Sequence, residues 1–178
     1  MGVEITTDRL RLRPLEPADA RRIGTLCGDL AVSRWLARVP HPYPAGEAER
    51  FIARCRRSAD RVWAIERRGE PGPAGVIGVI GIDGPADGQS LGYWLGASYW
   101  GRGYASEAAL AVVDWAFGEA ATAALASGAF EGNAASLRVQ EKLGFRVTGQ
   151  RMLRCAALGR DLLHIDTALD RAGWEARA

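Results

Sequence analysis

Two glycines placed two residues apart, Gly101 and Gly103, precede a segment whose pattern predicts a helix over 105–119. The residues before them, 90–95, predict a strand, so the glycines lie in a strand–loop–helix unit. Backbone N–H groups in the first turn of a helix have no partner inside the helix, and the helix dipole is positive there. The loop therefore predicts an anion site, with a phosphate or pyrophosphate as the expected ligand.

Other phosphate-binding patterns do not match this loop. The sequence has no Gly-Lys-Ser/Thr, which a Walker loop requires, and no Gly-x-Gly-x-x-Gly follows the first strand of a βαβ unit. A nucleotide-hydrolysing or dinucleotide-binding domain is therefore not expected. A turn without any ligand remains the structural alternative for Gly101 and Gly103.

A second segment with chemical potential begins at Asn133. Asn133 is a good N-cap for a predicted helix over 134–143, and Gly144 fits the position just beyond its C-terminus. The run Glu-Lys-Leu-Gly-Phe follows at 141–145. By these signals alone the segment is a well-capped helix leading into a strand.

The elements that must position these residues alternate between helix and strand. The pattern predicts one strand, two helices, three strands, a helix, a strand, a helix and two final strands. A loop covers 40–44 and a turn covers 83–88; the alanines of 123–130 permit a helix as well as a strand. The helices and strands are predicted at 9–13, 19–30, 47–58, 62–66, 76–82, 90–95, 105–119, 123–130, 134–143, 145–150 and 161–169.

Composition limits the function. A chain of 178 residues with 48% apolar and 25% charged residues fits one globular domain with a sizeable core. The net charge of +2 gives no general electrostatic reason to bind nucleic acid. We expect no transmembrane helix and no signal peptide, because no apolar run of sufficient length occurs and 1–13 lacks the required pattern.

Cysteine and histidine usage predicts neither disulfides nor a metal site. The cysteines are odd in number and far apart, which is typical of reduced cytoplasmic thiols; they are Cys27, Cys55 and Cys155. His41 and His164 are too few and too isolated to indicate a metal.

Several motifs together carry a resemblance to a known family. They are the opening phrase at 7–15, Gly-Tyr-Trp-Leu at 92–95, Trp-Gly-Arg-Gly-Tyr-Ala at 100–105, Asn-x-x-Ser at 133–136, and the run at 141–145. The chain thereby resembles the Gcn5-related N-acetyltransferase (GNAT) superfamily, and within it the branch of the ribosomal-protein acetyltransferases RimJ and RimL. The resemblance covers nearly the whole chain and is specific at superfamily level, but it does not identify the substrate.

The resemblance implies a fold. It is an α/β (α+β) single domain over 1–178, with its core at about 7–170. A mixed, mostly antiparallel and splayed sheet would be flanked by about four helices. The same resemblance allows a monomer or a homodimer.

The resemblance also implies acetyl-coenzyme A as the cofactor. In the family, the strand before the loop splays away from its neighbour, and backbone groups near Trp94, Leu95 and Gly96 would pair with the pantetheine arm. Asn133 matches the asparagine that binds the pantetheine region, with helix capping as an equally good role. The pyrophosphate would lie on the N–H groups of Gly101, Arg102, Gly103, Tyr104, Ala105 and Ser106.

The implied reaction transfers an acetyl group from a thioester to a primary amine in a ternary complex. No covalent enzyme intermediate is needed, so Cys155 is expected to be an ordinary cysteine. Ser136 matches the family position proposed to protonate the departing thiolate; its alternative is a polar residue in the first helical turn.

The general base is less determined. Glu131 follows the strand before Asn133, near the expected position of the sulfur, although a solvated strand-end carboxylate is the alternative. Some members of the branch carry a carboxylate in the segment that corresponds to 150–158, which has none in this chain. Asp161 and His164 on the last strand are further candidates, and a water relay or binding of a neutral amine also remains possible.

The acceptor pocket is implied between the first two helices and the last hairpin. Trp35, His41, Tyr43 and Trp63 could line it, with core packing as the safer role for Trp63. The acceptor would be a protein N-terminus, as in ribosomal proteins, or a small-molecule amine. A non-catalytic acyl-CoA-binding or sensing domain is the alternative function.

Overall fold

A computed structural model describes residues 3–85, 88–120 and 122–177. Within those ranges the chain forms eight strands and six helices. The strands are β1 (Ile5–Thr6), β2 (Leu10–Pro14), β3 (Arg61–Arg67), β4 (Val76–Asp83), β5 (Ser90–Leu95), β6 (Ala124–Phe130), β7 (Arg146–Cys155) and β8 (Arg160–Asp170). The helices are α1 (Ala20–Cys27), α2 (Leu30–Ser33), α3 (Glu47–Arg57), α4 (Tyr104–Gly118), α5 (Ala134–Lys142) and α6 (Arg171–Glu175).

All eight strands belong to one sheet, in the order β1-β2-β3-β4-β5-β6-β8-β7. Every neighbouring pair is antiparallel except β5 and β6, which run parallel and are paired at one position only, Ser90 with Ala126. By contrast, β4 and β5 pair at six positions and β6 and β8 at seven. The sheet is therefore split into two halves that separate beyond Ser90, which confirms the predicted mixed, mostly antiparallel and splayed architecture.

Helices cover both faces of the sheet. On one face α4 packs through small and β-branched residues such as Val112, Val113 and Ala116, all fully buried, against strand residues that include Ile65 and Ile80. Small side chains let a helix approach a sheet closely, so this packing fixes the position of the N-terminus of α4. On the opposite face α1 and α3 pack against β3 and β4.

The structure corrects the number of helices from about four to six in the described residues. The segment predicted as one helix over 19–30 is two, because α1 ends at Cys27 and Asp29 caps α2 by accepting from the N–H of Ala31 at 2.8 Å. The short α6 follows the last strand. Both α2 and α6 are too short for a 3.6-residue period to be recognised in the sequence.

The structure also settles one ambiguous strand, lengthens a second and adds a third. The alanine-rich segment 123–130 is a strand, because it pairs with β8 along its length. β7 extends past Gln150 to Cys155, since its partner β8 continues equally far. The short β1 was not predicted. The turn predicted over 83–88 includes Ala86 and Asp87, which lie outside the described residues.

None of the helices in the described part of the chain is both long and apolar enough to span a bilayer.

Candidate functional site

A cleft opens where β5 and β6 diverge, and residues from both sides of the gap line it. Its volume is about 1550 Å³, whereas roughly 300–1,000 Å³ is typical of a pocket for one small ligand. The cleft therefore has room for an extended ligand with a second molecule beside it.

The edge of β5 presents backbone polar groups to this gap at alternate residues. The N–H of Gly96 donates to a carbonyl of β4 at 2.9 Å, so Gly96 and, by alternation, Trp94 direct their backbone groups toward β4. Tyr93 and Leu95 then direct theirs toward the gap, where the Leu95 carbonyl accepts from the indole N–H of Trp100 at 2.8 Å. Of the three residues predicted to meet a pantetheine arm, Leu95 is the one whose backbone faces the gap.

The loop before α4 forms a cradle of N–H groups, those of residues 101–106. Gly101 and Gly103 have φ angles of 72° and 80°, which glycine adopts without steric cost. The first hydrogen bond inside α4 runs from Glu107 N–H to the Gly103 carbonyl at 3.0 Å. In the part of the chain that the structure describes, no protein acceptor binds the six N–H groups of the cradle. Because α4 has 15 residues, its positive end adds to this anion site.

Five of the six residues predicted to hold a pyrophosphate line the cleft, and Arg102 does not. The Arg102 carbonyl instead accepts from the guanidinium of Arg9 at 3.0 Å. The same guanidinium pairs with Glu107 at 2.6 Å and lies 4.7 Å from the centre of the Tyr104 ring. Arg9 thus ties the cradle to the first turn of α4.

Glu107 is the centre of this support. Its carboxylate accepts from Thr7 Oγ1 at 2.6 Å and from the backbone N–H of Arg9 at 3.0 Å. Burial alone would raise the pKa of Glu107, but these hydrogen bonds and the Arg9 guanidinium hold it below the ordinary value. Sequence reasoning missed the contact, because its partners are 98 or more residues apart and only the opening phrase at 7–15 signalled it.

A pair of hydroxyl groups lies across the gap from the cradle. Ser136 Oγ is 3.1 Å from Tyr93 Oη, which links α5 to the splayed strand β5. Gln140, which is 1% exposed, donates to Ser136 Oγ at 3.2 Å and accepts from Thr167 Oγ1 at 2.7 Å. Burial raises the pKa of Tyr93, and its hydrogen bonds to Ser136 and Gln140 offset this only in part. Tyr93 therefore keeps its proton at neutral pH, and the pair can donate a proton toward the cleft.

Asn133 lies at the start of α5, as predicted. Its Oδ1 accepts from the backbone N–H of Ser136 at 3.2 Å, so Asn133 caps the helix. Asn133 and Ser136 both line the cleft. Capping uses the side-chain oxygen, which leaves the amide nitrogen for a ligand, so the two roles are compatible.

The aromatic residues predicted for an acceptor pocket separate in the structure. Trp35 lines the cleft near Gly132, where an added Cβ would lie 3.2 Å from the indole. Tyr43 does not line it; it packs against the core beside α1 and α3, and burial raises its pKa to about 12. Trp63 is a core residue whose indole N–H donates to the Val3 carbonyl at 2.7 Å. His41 is exposed in a loop outside the lining.

The three candidate bases also separate. Glu131 is exposed and is not among the residues that line the cleft. Asp161 is exposed beside Arg154, at 3.6 Å, and likewise lies outside the lining. His164 lines the cleft, with Nδ1 2.9 Å from Asp166 Oδ1. The catalytic role predicted for Glu131 stays a prediction.

Comparison with known proteins adds a family to this geometry. Residues 9–146 match the model of the acetyltransferase (GNAT) domain. The uncharacterized protein YkkB of Bacillus subtilis is 30% identical over 145 residues, which are 79% of this chain and 84% of YkkB. The putative ribosomal N-acetyltransferase YdaF of the same organism is 27% identical over 148 residues, which are 80% of this chain and 81% of YdaF.

A solved structure shares the fold. Spermidine N-acetyltransferase from Vibrio cholerae, in complex with CoA and spermine, superposes with a TM-score of 0.79 at 17% sequence identity, over 95% of this chain and 99% of that one. The splayed sheet, the cradle at α4 and the match over 9–146 agree with one another. This chain belongs to the GNAT acetyltransferase family.

Proposed function

We propose that this protein transfers the acetyl group of acetyl-CoA to a primary amine, directly within a ternary complex. The observation that carries the proposal is the position of the cradle, residues 101–106, and the Tyr93–Ser136 hydroxyl pair on one cleft at the gap between β5 and β6. When bound, acetyl-CoA supplies a thioester with an electrophilic acetyl carbon.

The donors of the cleft fit this cofactor. A pyrophosphate carries negative charge and accepts hydrogen bonds, which the N–H groups of the cradle can donate. The pantetheine amides need backbone partners, which the gap-facing edge of β5 offers around Leu95. Asn133 adds a side-chain amide to the same wall. The proposed cofactor residues are Trp94, Leu95, Gly96, Gly101, Arg102, Gly103, Tyr104, Ala105, Ser106 and Asn133.

Ser136 is proposed to hold the proton that the departing thiolate receives. A hydroxyl is a weak acid in water, so the role depends on a position inside the cleft and on partners that restore the proton. Tyr93, which is protonated and 3.1 Å away, is such a partner. Gln140 donates a hydrogen bond to Ser136 Oγ, so the hydroxyl proton of Ser136 points away from Gln140.

The acceptor is proposed to be an amine attached to an apolar group. On the face covered by α1 to α3, apolar side chains such as Val79 and Trp94 line part of the cleft, and its floor is made of small residues. The acids among the described lining residues are Asp83 and Asp166, and each lies beside an arginine, Arg38 at 3.7 Å and Arg151 at 3.1 Å. Acids whose negative charges are balanced by neighbouring arginines do not favour a polyamine, the type of substrate named for the Vibrio cholerae neighbour. A small aromatic amine or the N-terminus of a protein fits better, and the relative YdaF is named a putative ribosomal N-acetyltransferase.

Mass spectrometry of an amine panel incubated with acetyl-CoA tests the proposal. The panel contains peptides with free N-termini, aromatic amines and spermidine. We expect one acetyl group on a peptide or aromatic amine and little on spermidine. CoA binding without any product would favour the non-catalytic acyl-CoA-binding domain instead.

The variant Ser136→Ala tests the proposed acid. Its turnover should fall roughly ten- to a hundredfold, because proton donation is lost, with the acetyl-CoA dissociation constant unchanged. Ser98→Ala is the control, since Ser98 is exposed and outside the lining. Equal turnover in both variants would return Ser136 to a structural role.

A further inference from the structure

The imidazole of His164 reaches from β8 across β6 to the edge of the gap. His164 is paired with Phe130 on β6, and the two rings meet edge to face with 5.6 Å between their centres. A Cβ added at Gly128 would collide with Cε1 of His164, so the ring lies over the backbone of Gly128. Because residue 128 has no side chain, the imidazole can lie directly over β6, the strand that bounds the cleft.

Two further residues set the orientation of this ring. His164 Nδ1 is 2.9 Å from Asp166 Oδ1, and both carboxylate oxygens of Asp166 are 3.1 Å from Nε of Arg151. An ionised carboxylate only accepts hydrogen bonds, so in the neutral imidazole the proton is on Nδ1 and the lone pair is on Nε2. Arg151 pairs with Asp166 and so holds the carboxylate in place beside the ring.

Nε2 of His164 is the atom that the cleft can reach. In the described part of the chain it has no hydrogen-bond partner, and it is not among the buried atoms without a partner. Since His164 lines the cleft, this lone pair is open to a molecule inside it. The surrounding elements carry charged groups on every side of the ring. They are Arg146, Arg151 and Arg154 on β7, Arg160, Asp161, Asp166 and Asp170 on β8, Glu131 after β6, and Arg34 and Arg38 after α2.

We propose that His164 is the general base for the acceptor amine and that Asp166 and Arg151 are its positioning residues. This inference rests on the proposed function. The ammonium form of the acceptor gives one proton to Nε2, which frees the nitrogen lone pair. As the new N–C bond forms and the C–S bond breaks, the nitrogen loses a second proton and the sulfur gains one. His164 then releases its proton to solvent, so the products are an amide, a thiol and one proton.

The first test needs neither cofactor nor acceptor. Nitrogen-15 NMR at alkaline pH distinguishes the two imidazole tautomers, and the variant His41→Gln leaves His164 as the one histidine of the chain. We expect the Nδ1–H tautomer in that background and a mixture after Asp166→Asn, because the carboxylate then no longer fixes the proton. An Nε2–H tautomer before Asp166 is changed would overturn the proposal, since that nitrogen could not accept a proton.

The second test is kinetic and uses the best peptide from the panel, because a peptide N-terminus is mostly protonated at neutral pH. His164→Gln should lower kcat about a hundredfold at neutral pH, with the deficit shrinking as the pH rises and the amine loses its proton unaided. Asp166→Asn should lower kcat less, with the KM for acetyl-CoA unchanged in both. His41→Gln, on an exposed loop, should behave like the wild type.

The outcomes distinguish a failure of the His164 assignment from a failure of the proposed function. A wild-type protein that acetylates a panel amine while His164→Gln keeps full kcat and the same pH profile would overturn the role of His164 and leave the proposed function intact. If the wild type binds CoA and acetylates nothing, the proposed function fails and the base assignment fails with it.

Discussion

At the scale of single residues, the cradle depends on two glycines with left-handed backbone conformations. The two positions differ in what surrounds them. A Cβ at Gly103 would lie 3.3 Å from the guanidinium of Arg9, so a side chain there disturbs the support of the loop. A Cβ at Gly101 would meet no atom within 4 Å, at a residue that lines the cleft. Gly101 is therefore the position where a methyl group projects into open space beside the anion site.

The pair Gly101→Ala and Gly159→Ala isolates this effect. Gly159 has a φ of 62°, close to the 72° of Gly101, has equally open surroundings and does not line the cleft. Both variants should lose about 1–2 kcal/mol of stability, because alanine at positive φ is strained. Only Gly101→Ala should bind CoA about tenfold more weakly, roughly 1.4 kcal/mol, as measured by calorimetry. Equal affinities in the two variants would contradict the placement of the anion at the cradle.

At the scale of elements, α4 begins without a side-chain cap and is supported instead from another part of the chain. Gly103 cannot cap the helix, and the N–H groups that a cap would bind remain directed to the cleft. The loop between β1 and β2 supplies Thr7 and Arg9, which bind Glu107 in the first turn. The helix thus gains stability at its N-terminus while its N–H groups stay available for an anion.

This support should depend on pH through Glu107. The folded pKa of Glu107 lies below the ordinary 4.5, so its ionised form stabilises the fold above that value. The contribution is lost as the pH falls from about 4.5 through the lower folded pKa. In urea titrations Glu107→Gln should be less stable than the wild type at neutral pH, and its free energy of unfolding should decline less between about pH 5 and 3.

The control for this prediction is Glu141→Gln. Glu141 is an exposed carboxylate on α5 with no ion pair among the described residues. Its profile should run parallel to that of the wild type. A Glu107→Gln profile that is also parallel would show that the Thr7–Arg9–Glu107 contact contributes nothing to stability.

At the scale of the whole molecule, the split sheet creates two compartments on one cleft. The face toward α4 and α5 carries the cradle and the Ser136 hydroxyl. The face toward α1 to α3 carries a floor of small residues on four strands, bounded by apolar side chains. The floor residues are Gly81, Gly92, Ala126, Gly128 and Ala168. We assign this second compartment to the acceptor, because each compartment adjoins the gap where the acetyl group would pass.

Filling the floor tests this assignment. A Cβ at Gly92 meets no atom within 4 Å, so Gly92→Val should be accommodated in β5 while its side chain enters the acceptor compartment. We expect kcat/KM for an aromatic amine to fall about tenfold or more, from lost apolar contact and volume, with CoA affinity retained. Gly149→Val is the matched control, on a strand and equally unhindered, but outside the lining. Equal losses for both variants would contradict the acceptor compartment.

Local patterns were sufficient for much of the fold and for the glycine loop before α4. The strand–loop–helix unit, with Gly101 and Gly103 ahead of α4, is encoded in neighbouring residues, because turns, caps and periodicity are local interactions. The Asn133 cap and the end of α5 before Gly144 follow for the same reason. The predicted helix boundaries were wrong where the helices are short, as at the break between α1 and α2 at Gly28 and Asp29.

Tertiary structure decided which of the candidate side chains share the cleft. Sequence alone proposed Glu131, Asp161 and His164 together as bases, because alternation along a strand does not reveal which face of the sheet a residue occupies. Pairing with β6 and the absence of a side chain at Gly128 bring only His164 of the three to the cleft. Tyr43 was predicted to line the pocket but packs, half-buried, against the core, because its neighbours come from separate helices. The sequence by itself therefore determined the family and the glycine loop before α4, whose contacts are local, whereas long-range strand pairing decided which side chains share the cleft.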